Sequence, residues 1–176
     1  MIITHISKLH SPGRVAAPEF TRTLGVRVFG QAAMRGSALS RGIRFHQALA
    51  GFLPDGRLPA ESRPYYPFLD ALRRDLRARG LNRFMGEVGI ESAGMTGRAD
   101  IVAVGPRRRV IVEVKTCSAL PTAPEAAHVA QAALYAAALP GEVAVIVAYV
   151  CIQAASVRIF EWQGLPVDLS DLQIAA

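Results

Sequence analysis

The sequence predicts an α/β domain, a mixed central sheet flanked by helices, and three observations carry that prediction. Apolar residues recur at helical spacing in three stretches and at strand spacing in five, in the order helix, helix, three strands, helix, two strands. Residues 143–152 form a continuous apolar run, the pattern of a strand covered on both faces, and too short to span a bilayer. Residues 95–116 read as two strands joined by Gly105-Pro106-Arg107-Arg108-Arg109, a Gly/Pro turn. With 176 residues, 51% of them hydrophobic, the chain can bury the core of one domain and is excluded from the disordered class.

Taken in order, residues 1–36 read as an N-terminal extension with no assigned function, and residues 37–176 as the domain. Ser11-Pro12-Gly13 is a turn, and residues 24–30 alternate as a short strand. A helix opens at Ser37 or Ser40 as N-cap and runs to Phe52, with Pro54-Asp55-Gly56 ending it. His46 shares a face with Gly42, Ile43, Leu49 and Ala50, which suits either a hydrogen-bonded core histidine or a metal ligand. After a loop over residues 53–63, a second helix starts at Tyr65 or Tyr66 and runs to Arg79. Its stripe is Phe68, Leu69, Leu72 and Leu76, and Gly80 stops it. Arg73, Arg74, Arg77, Arg79 and Arg83 gather near its end, where they can offset the helix dipole or track phosphates. Residues 84–91 are a strand carrying Glu87 and Glu91, ahead of the central hairpin. Thr122-Ala-Pro-Glu125 has the form of a capping box opening a helix to Leu139. That helix is mostly alanine, with His128, Gln131 and Tyr135 on one stripe, either its wet face or the lining of a cleft. Residues 143–152 and 157–162 are the last strands, and the tail from Gln163 is irregular.

The chemistry concentrates in the hairpin. Asp100 lies on its first strand; Glu113 and Lys115 lie on the second, two apart and so on one face. Charges inside apolar strands are costly unless compensated, whether by an internal ion pair, by a strand edge reaching water, or by a functional site. Of 20 basic residues only Lys8 and Lys115 are lysines. Lysine is a compact charge with a tunable pKa, and here it falls beside two carboxylates. Charge is also uneven. Residues 1–83 hold 14 Lys/Arg against 5 Asp/Glu, and residues 84–176 hold 6 against 9, so the halves carry +9 and −3. A basic half suits a polyanion. Two cysteines exclude a disulfide framework and a four-cysteine metal site, and with no signal-peptide pattern the expectation is a cytoplasmic protein without a membrane partner.

The spacing from Asp100 to Glu113-Val114-Lys115 resembles the PD-(D/E)xK nuclease superfamily, and the ordered motifs resemble its RecB-type, lambda-exonuclease-like branch. Over roughly residues 40–150, Gly42-x-x-x-His46, Glu87, Gly97-Arg-Ala-Asp100, Glu113-Val-Lys115-Thr116 and Gln131-x-x-x-Tyr135 stand in the branch's order. The resemblance implies a restriction-endonuclease-like core and a Mg²⁺- or Mn²⁺-dependent deoxyribonuclease of recombination, repair or phage DNA processing. It implies Asp100, Glu113 and the Val114 carbonyl as metal ligands, with His46 as a nitrogen ligand and Glu87 as an outer one. Lys115 would activate the attacking water, and Gln131 and Tyr135 would steady the lysine and the scissile phosphate. Arg73, Arg74, Arg77, Arg79 and Arg83, together with the turn trio Arg107, Arg108 and Arg109, are expected to hold the DNA backbone, the trio above all. Two departures stand out: two cysteines cannot carry the iron–sulfur cluster of the CRISPR-associated relatives, and unwinding would need a helicase or recombination partner. The other readings are a catalytically silent nucleic-acid-binding module on the same fold and a metal-dependent hydrolase of a smaller phosphate.

Overall fold

The computed structural model describes residues 15–27, 37–92 and 95–167. It is α/β, a six-stranded mixed sheet between two helical layers. The elements are β1 (Phe20–Gly25), α1 (Ala38–Asp55), a 3₁₀ helix (Ala60–Tyr65), α2 (Tyr66–Ala78), β2 (Arg83–Ser92), β3 (Met95–Val104), β4 (Arg109–Cys117), α3 (Ala126–Ala137), β5 (Val143–Cys151) and β6 (Ser156–Trp162). Strand order is β1-β6-β5-β4-β3-β2, and only β4 and β5 run parallel, joined by the α3 crossover.

The alternation along β4 explains the layers. Val110, Val112 and Val114 enter a core under α1 and α2, while Ile111 enters a second core under α3. Both cores draw on β5, whose nine residues are all buried, as its unbroken apolar run predicts. On α1, Ser37 caps the N-terminus by accepting the Ser40 N–H at 3.2 Å, and Gly56, at φ 71°, closes the C-terminus by donating to the Phe52 carbonyl. The α2 stripe Phe68, Leu69, Leu72 and Leu76 is fully buried. No helix of the described residues is long and apolar enough to cross a membrane.

Four local expectations need correction. The first strand is Phe20–Gly25, beginning four residues before the expected 24–30 and ending ahead of Val26, while residues 28–30 lie outside the described residues; it pairs with β6 from Phe20↔Glu161 to Gly25↔Ser156. The boundary at 36/37 therefore separates no domain: residues 20–25 are an edge of the same sheet. The turn at Ser11-Pro12-Gly13 lies outside the described residues. Residues 53–63 are not all loop, since α1 continues to Asp55 and a 3₁₀ helix follows. The third helix begins at Ala126 rather than at Thr122, with Glu125 as N-cap and no side-chain capping bond. The Tyr149 hydroxyl instead accepts the Glu125 N–H at 2.9 Å.

An ionic cluster ties β1, α2 and β6 together. Arg22 reaches Asp75 with two parallel bonds, Nε to Oδ1 at 2.8 Å and Nη2 to Oδ2 at 2.7 Å. The carboxylate of Glu161, a buried residue, meets Arg22 and Arg108, each at 3.4 Å, and forms a close pair with Arg79. Arg79 and Arg108 are thereby spent inside the fold.

Candidate functional site

The site forms where β3 leaves β4. The two strands pair from Val104↔Arg109 only as far as Ile101↔Val112; beyond that point β3 continues with β2 alone. Glu87 and Asp100 both drop out of the β2–β3 ladder, and Glu87 takes a φ of 53°. Sidedness changes at the same place: Ile101 and Ala103 enter the α1/α2 core, whereas Ala99, which a straight strand would put beside them, enters the α3 core. This break aims Asp100 into the gap. Its Oδ2 accepts the Val114 N–H at 2.8 Å, satisfying a β4 group that β3 no longer reaches. The N–H and C=O of one extended residue face the same edge, so the Val114 carbonyl looks into that gap too.

A ring of hydrogen bonds completes the site. Lys115 Nζ donates to Glu113 Oε1 at 2.6 Å and to Gln131 Oε1 at 3.0 Å. Gln131 Nε2 donates to the Tyr135 hydroxyl at 3.1 Å, which also accepts the Arg98 N–H of β3 at 3.3 Å. Gly97 makes the closure possible, because a Cβ there would lie 2.5 Å from the Tyr135 ring. On the other face, His46 Nδ1 stands 3.1 Å from Asp100 Oδ1. Gly42, one turn earlier on α1, lets that helix approach the end of β4, with its Cβ position 3.1 Å from Thr116 Oγ1.

The charges are tuned by burial. Glu113 is 2% exposed, and burial, then the Asp100 charge, push its carboxyl up to about 7 against the pull of Lys115. Its Oε2 is buried with no hydrogen-bond partner. For His46, burial works against the imidazolium, but the hydrogen bond and charge of Asp100 outweigh it and the pKa rises. Raised from 4.5, Glu113 keeps a proton in the folded state that the unfolded chain releases, so metal-free stability should fall as pH rises from 4.5 to about 7. The linked loss is on the order of 3 kcal/mol. Urea unfolding at several pH values should show Glu113→Gln with a flatter pH dependence than the parent chain. Parallel curves would mean that Glu113 is ionised in the fold.

The expected residues thus converge in part. Asp100, Glu113, Val114, Lys115, Gln131 and Tyr135 meet. His46 meets them as the partner of Asp100, and with Ile43 exposed it lies at the margin of the buried stripe rather than within it. Glu87 does not join: its carboxylate is 3.2 Å from Arg98 Nη1. Among the described residues no three His, Cys, Asp or Glu side chains group closely enough to hold a metal ion. Two carboxylates and a carbonyl remain, a set that suits a cation keeping several waters, as Mg²⁺ does.

The arginines mostly lie elsewhere. The turn trio sits at the opposite end of the hairpin, and six residues of strand put Arg109 about 20 Å from Lys115. Arg109 donates to the Pro140 carbonyl at 2.7 Å, Arg108 is in the ionic cluster, and Arg107 is exposed. Arg73 lies over the Phe52 ring at 5.3 Å, Arg74 pairs with Asp70 at 3.0 Å, and Arg77 and Arg83 are exposed. The sequence reading overlooked Arg98, whose backbone closes the ring, and Tyr149, whose only signal was being the one hydroxyl in an apolar strand.

No family model and no curated protein matches this chain. Among solved structures it is similar to that of a protein designated SSO0001, at 21% identity and a TM-score of 0.38, over 56% of this chain and about half, 49%, of that one.

Proposed function

We propose that the chain is a divalent-metal-dependent nuclease that hydrolyses DNA phosphodiester bonds. The observation that carries this reading is the buried, partnerless Oε2 of Glu113 beside the Asp100 carboxylate and a lysine held at two points. Buried carboxylate oxygens in structural ion pairs are as a rule met by a hydrogen bond, and an unmet one calls for an explanation such as a role in holding a cation. Asp100, Glu113 and the Val114 carbonyl would hold Mg²⁺ or Mn²⁺, which supplies Lewis acidity and lowers the pKa of a bound water. His46 steadies Asp100 rather than adding a ligand.

The chain's own residues do the rest. Lys115 has three N–H donors; Glu113 and Gln131 take two, leaving the third for a phosphate oxygen or the attacking water. Gln131 and Tyr135 fix the lysine's direction, because their bonds run on to the backbone of β3. Burial pushes the Tyr135 phenol up, so it stays neutral and serves as a hydrogen-bonding group.

The test is Mg²⁺- and Mn²⁺-dependent degradation of linear, circular and single-stranded DNA. Binding without cleavage in either metal would favour the silent binding module instead. Backbone contact should follow the site rather than the hairpin turn. We expect Arg98→Ala to flatten the log–log salt dependence of DNA affinity by about one unit, and Arg107→Ala and Arg109→Ala to leave it unchanged. The reverse pattern would put the DNA at the turn.

A further inference from the structure

We propose that His128 is a phosphate-oxygen donor that extends the site by one position along the nucleic-acid backbone, its ring held by Tyr149 with the proton on Nε2. The inference rests on the nuclease reading above and names a residue which that reading does not use. Lys115 and Tyr149 are direct neighbours across the parallel β4–β5 pair, so their side chains share the α3 face. His128 stands one turn before Gln131 on α3, about 4.5 Å along the axis at 1.5 Å per residue. Lys115 under Gln131 and Tyr149 under His128 therefore form two adjacent stations along the α3 face of the sheet.

The tautomer follows from the Tyr149 hydroxyl. Tyr149 is 1% exposed and fixed edge-on against Phe160, with ring centroids 5.9 Å apart. Its oxygen accepts the Glu125 N–H at 2.9 Å and lies 2.9 Å from His128 Nδ1. A phenol buried so completely must place its own hydrogen on an acceptor, and Nδ1 is the acceptor at hand. Nδ1 is then unprotonated and Nε2 carries the hydrogen. The Glu125 carboxylate is 3.7 Å from Nε2, beyond hydrogen-bond range, and its side chain is largely exposed. The Nε2–H is left for a ligand. Burial first, then the Lys115 charge, lower the His128 pKa, so the ring stays neutral beside a cation. The Lys115 ammonium draws an anion to this donor, a phosphate oxygen offers both lone pair and charge, and the exposed Glu125 side chain, whose charge opposes that of Lys115 at the ring, must swing aside to admit it.

The experiment reads the imidazole directly by ¹⁵N NMR of the metal-free full chain, titrated with inorganic phosphate and then with a short single-stranded oligodeoxynucleotide. We expect the Nε2–H tautomer, a resonance that moves with both anions, and a tautomer mixture in Tyr149→Phe. His128→Ala should weaken oligonucleotide binding about tenfold. His128→Gln, whose amide N–H₂ stands near the imidazole Nε2, should recover most of it. An Nδ1–H tautomer, a resonance unmoved by either anion, or equal losses in the Ala and Gln variants would overturn the proposal. Because the readout needs neither metal nor turnover, a chain that cuts no DNA yet shows the expected shifts retires the nuclease reading alone. A chain that cuts DNA with an unmoved His128 retires this inference alone.

Discussion

Lys115→Ala should abolish cleavage, by about 10³-fold or more, while leaving DNA affinity nearly unchanged. Removing one preorganised charge stabiliser costs about 10²–10³ in turnover, and losing a positioned proton-transfer group costs about 10²–10⁴. Binding should survive, because backbone contacts depend on the summed basic surface rather than on one half-buried ammonium. Lys115→Arg should fail too. The ammonium meets Glu113 at 2.6 Å and Gln131 at 3.0 Å from a single nitrogen, and a longer planar fork cannot occupy that point without displacing one partner. Single-turnover rates alongside affinities measured without metal separate the two effects. Affinity falling in step with rate in a folded variant, or near-normal rates with arginine, would remove Lys115 from the chemistry.

Glu161→Ala should cost the fold about 3–5 kcal/mol, the range for removing one partner of a buried ion pair. Arg22, Arg79 and Arg108 share this carboxylate, and its loss leaves like charges facing one another, with Asp75 still pairing Arg22 and Arg79 but not Arg108. The edge strand should suffer most, because the cluster ties Arg22 of β1 to both α2 and β6, adding to the β1–β6 ladder. Urea unfolding gives the total, and hydrogen exchange over Phe20–Gly25 should show these amides opening first. A loss under about 1 kcal/mol, the range of exposed pairs, would mean that water already screens the cluster.

Part of the candidate site was legible because its geometry is local. Glu113 and Lys115 share a face because strands alternate, and the structure joins them by a hydrogen bond. Gln131 and Tyr135 meet because they are four apart on a helix. The arginines were harder to read, since a guanidinium on a helix end or turn looks the same whether it faces a phosphate or a buried glutamate thirty residues or more away. Glu87 illustrates the same limit. Its place on β2 was expected, but the ladder break that turns it toward Arg98 depends on how two strands cross the sheet.

By itself the sequence determined the α/β class, the three helical stripes, the central hairpin and the shared face of Glu113 and Lys115, all of which follow from the periods of strand and helix. Only the tertiary structure decided that β1 closes the sheet against β6, that Arg79 and Arg108 pair with Glu161, and that His46 stands against Asp100. It also decided that Tyr149 both caps α3 and orients His128. These depend on which strands become neighbours and at what register. That outcome is set by the burial of two whole cores at once, and no window of neighbouring residues contains it.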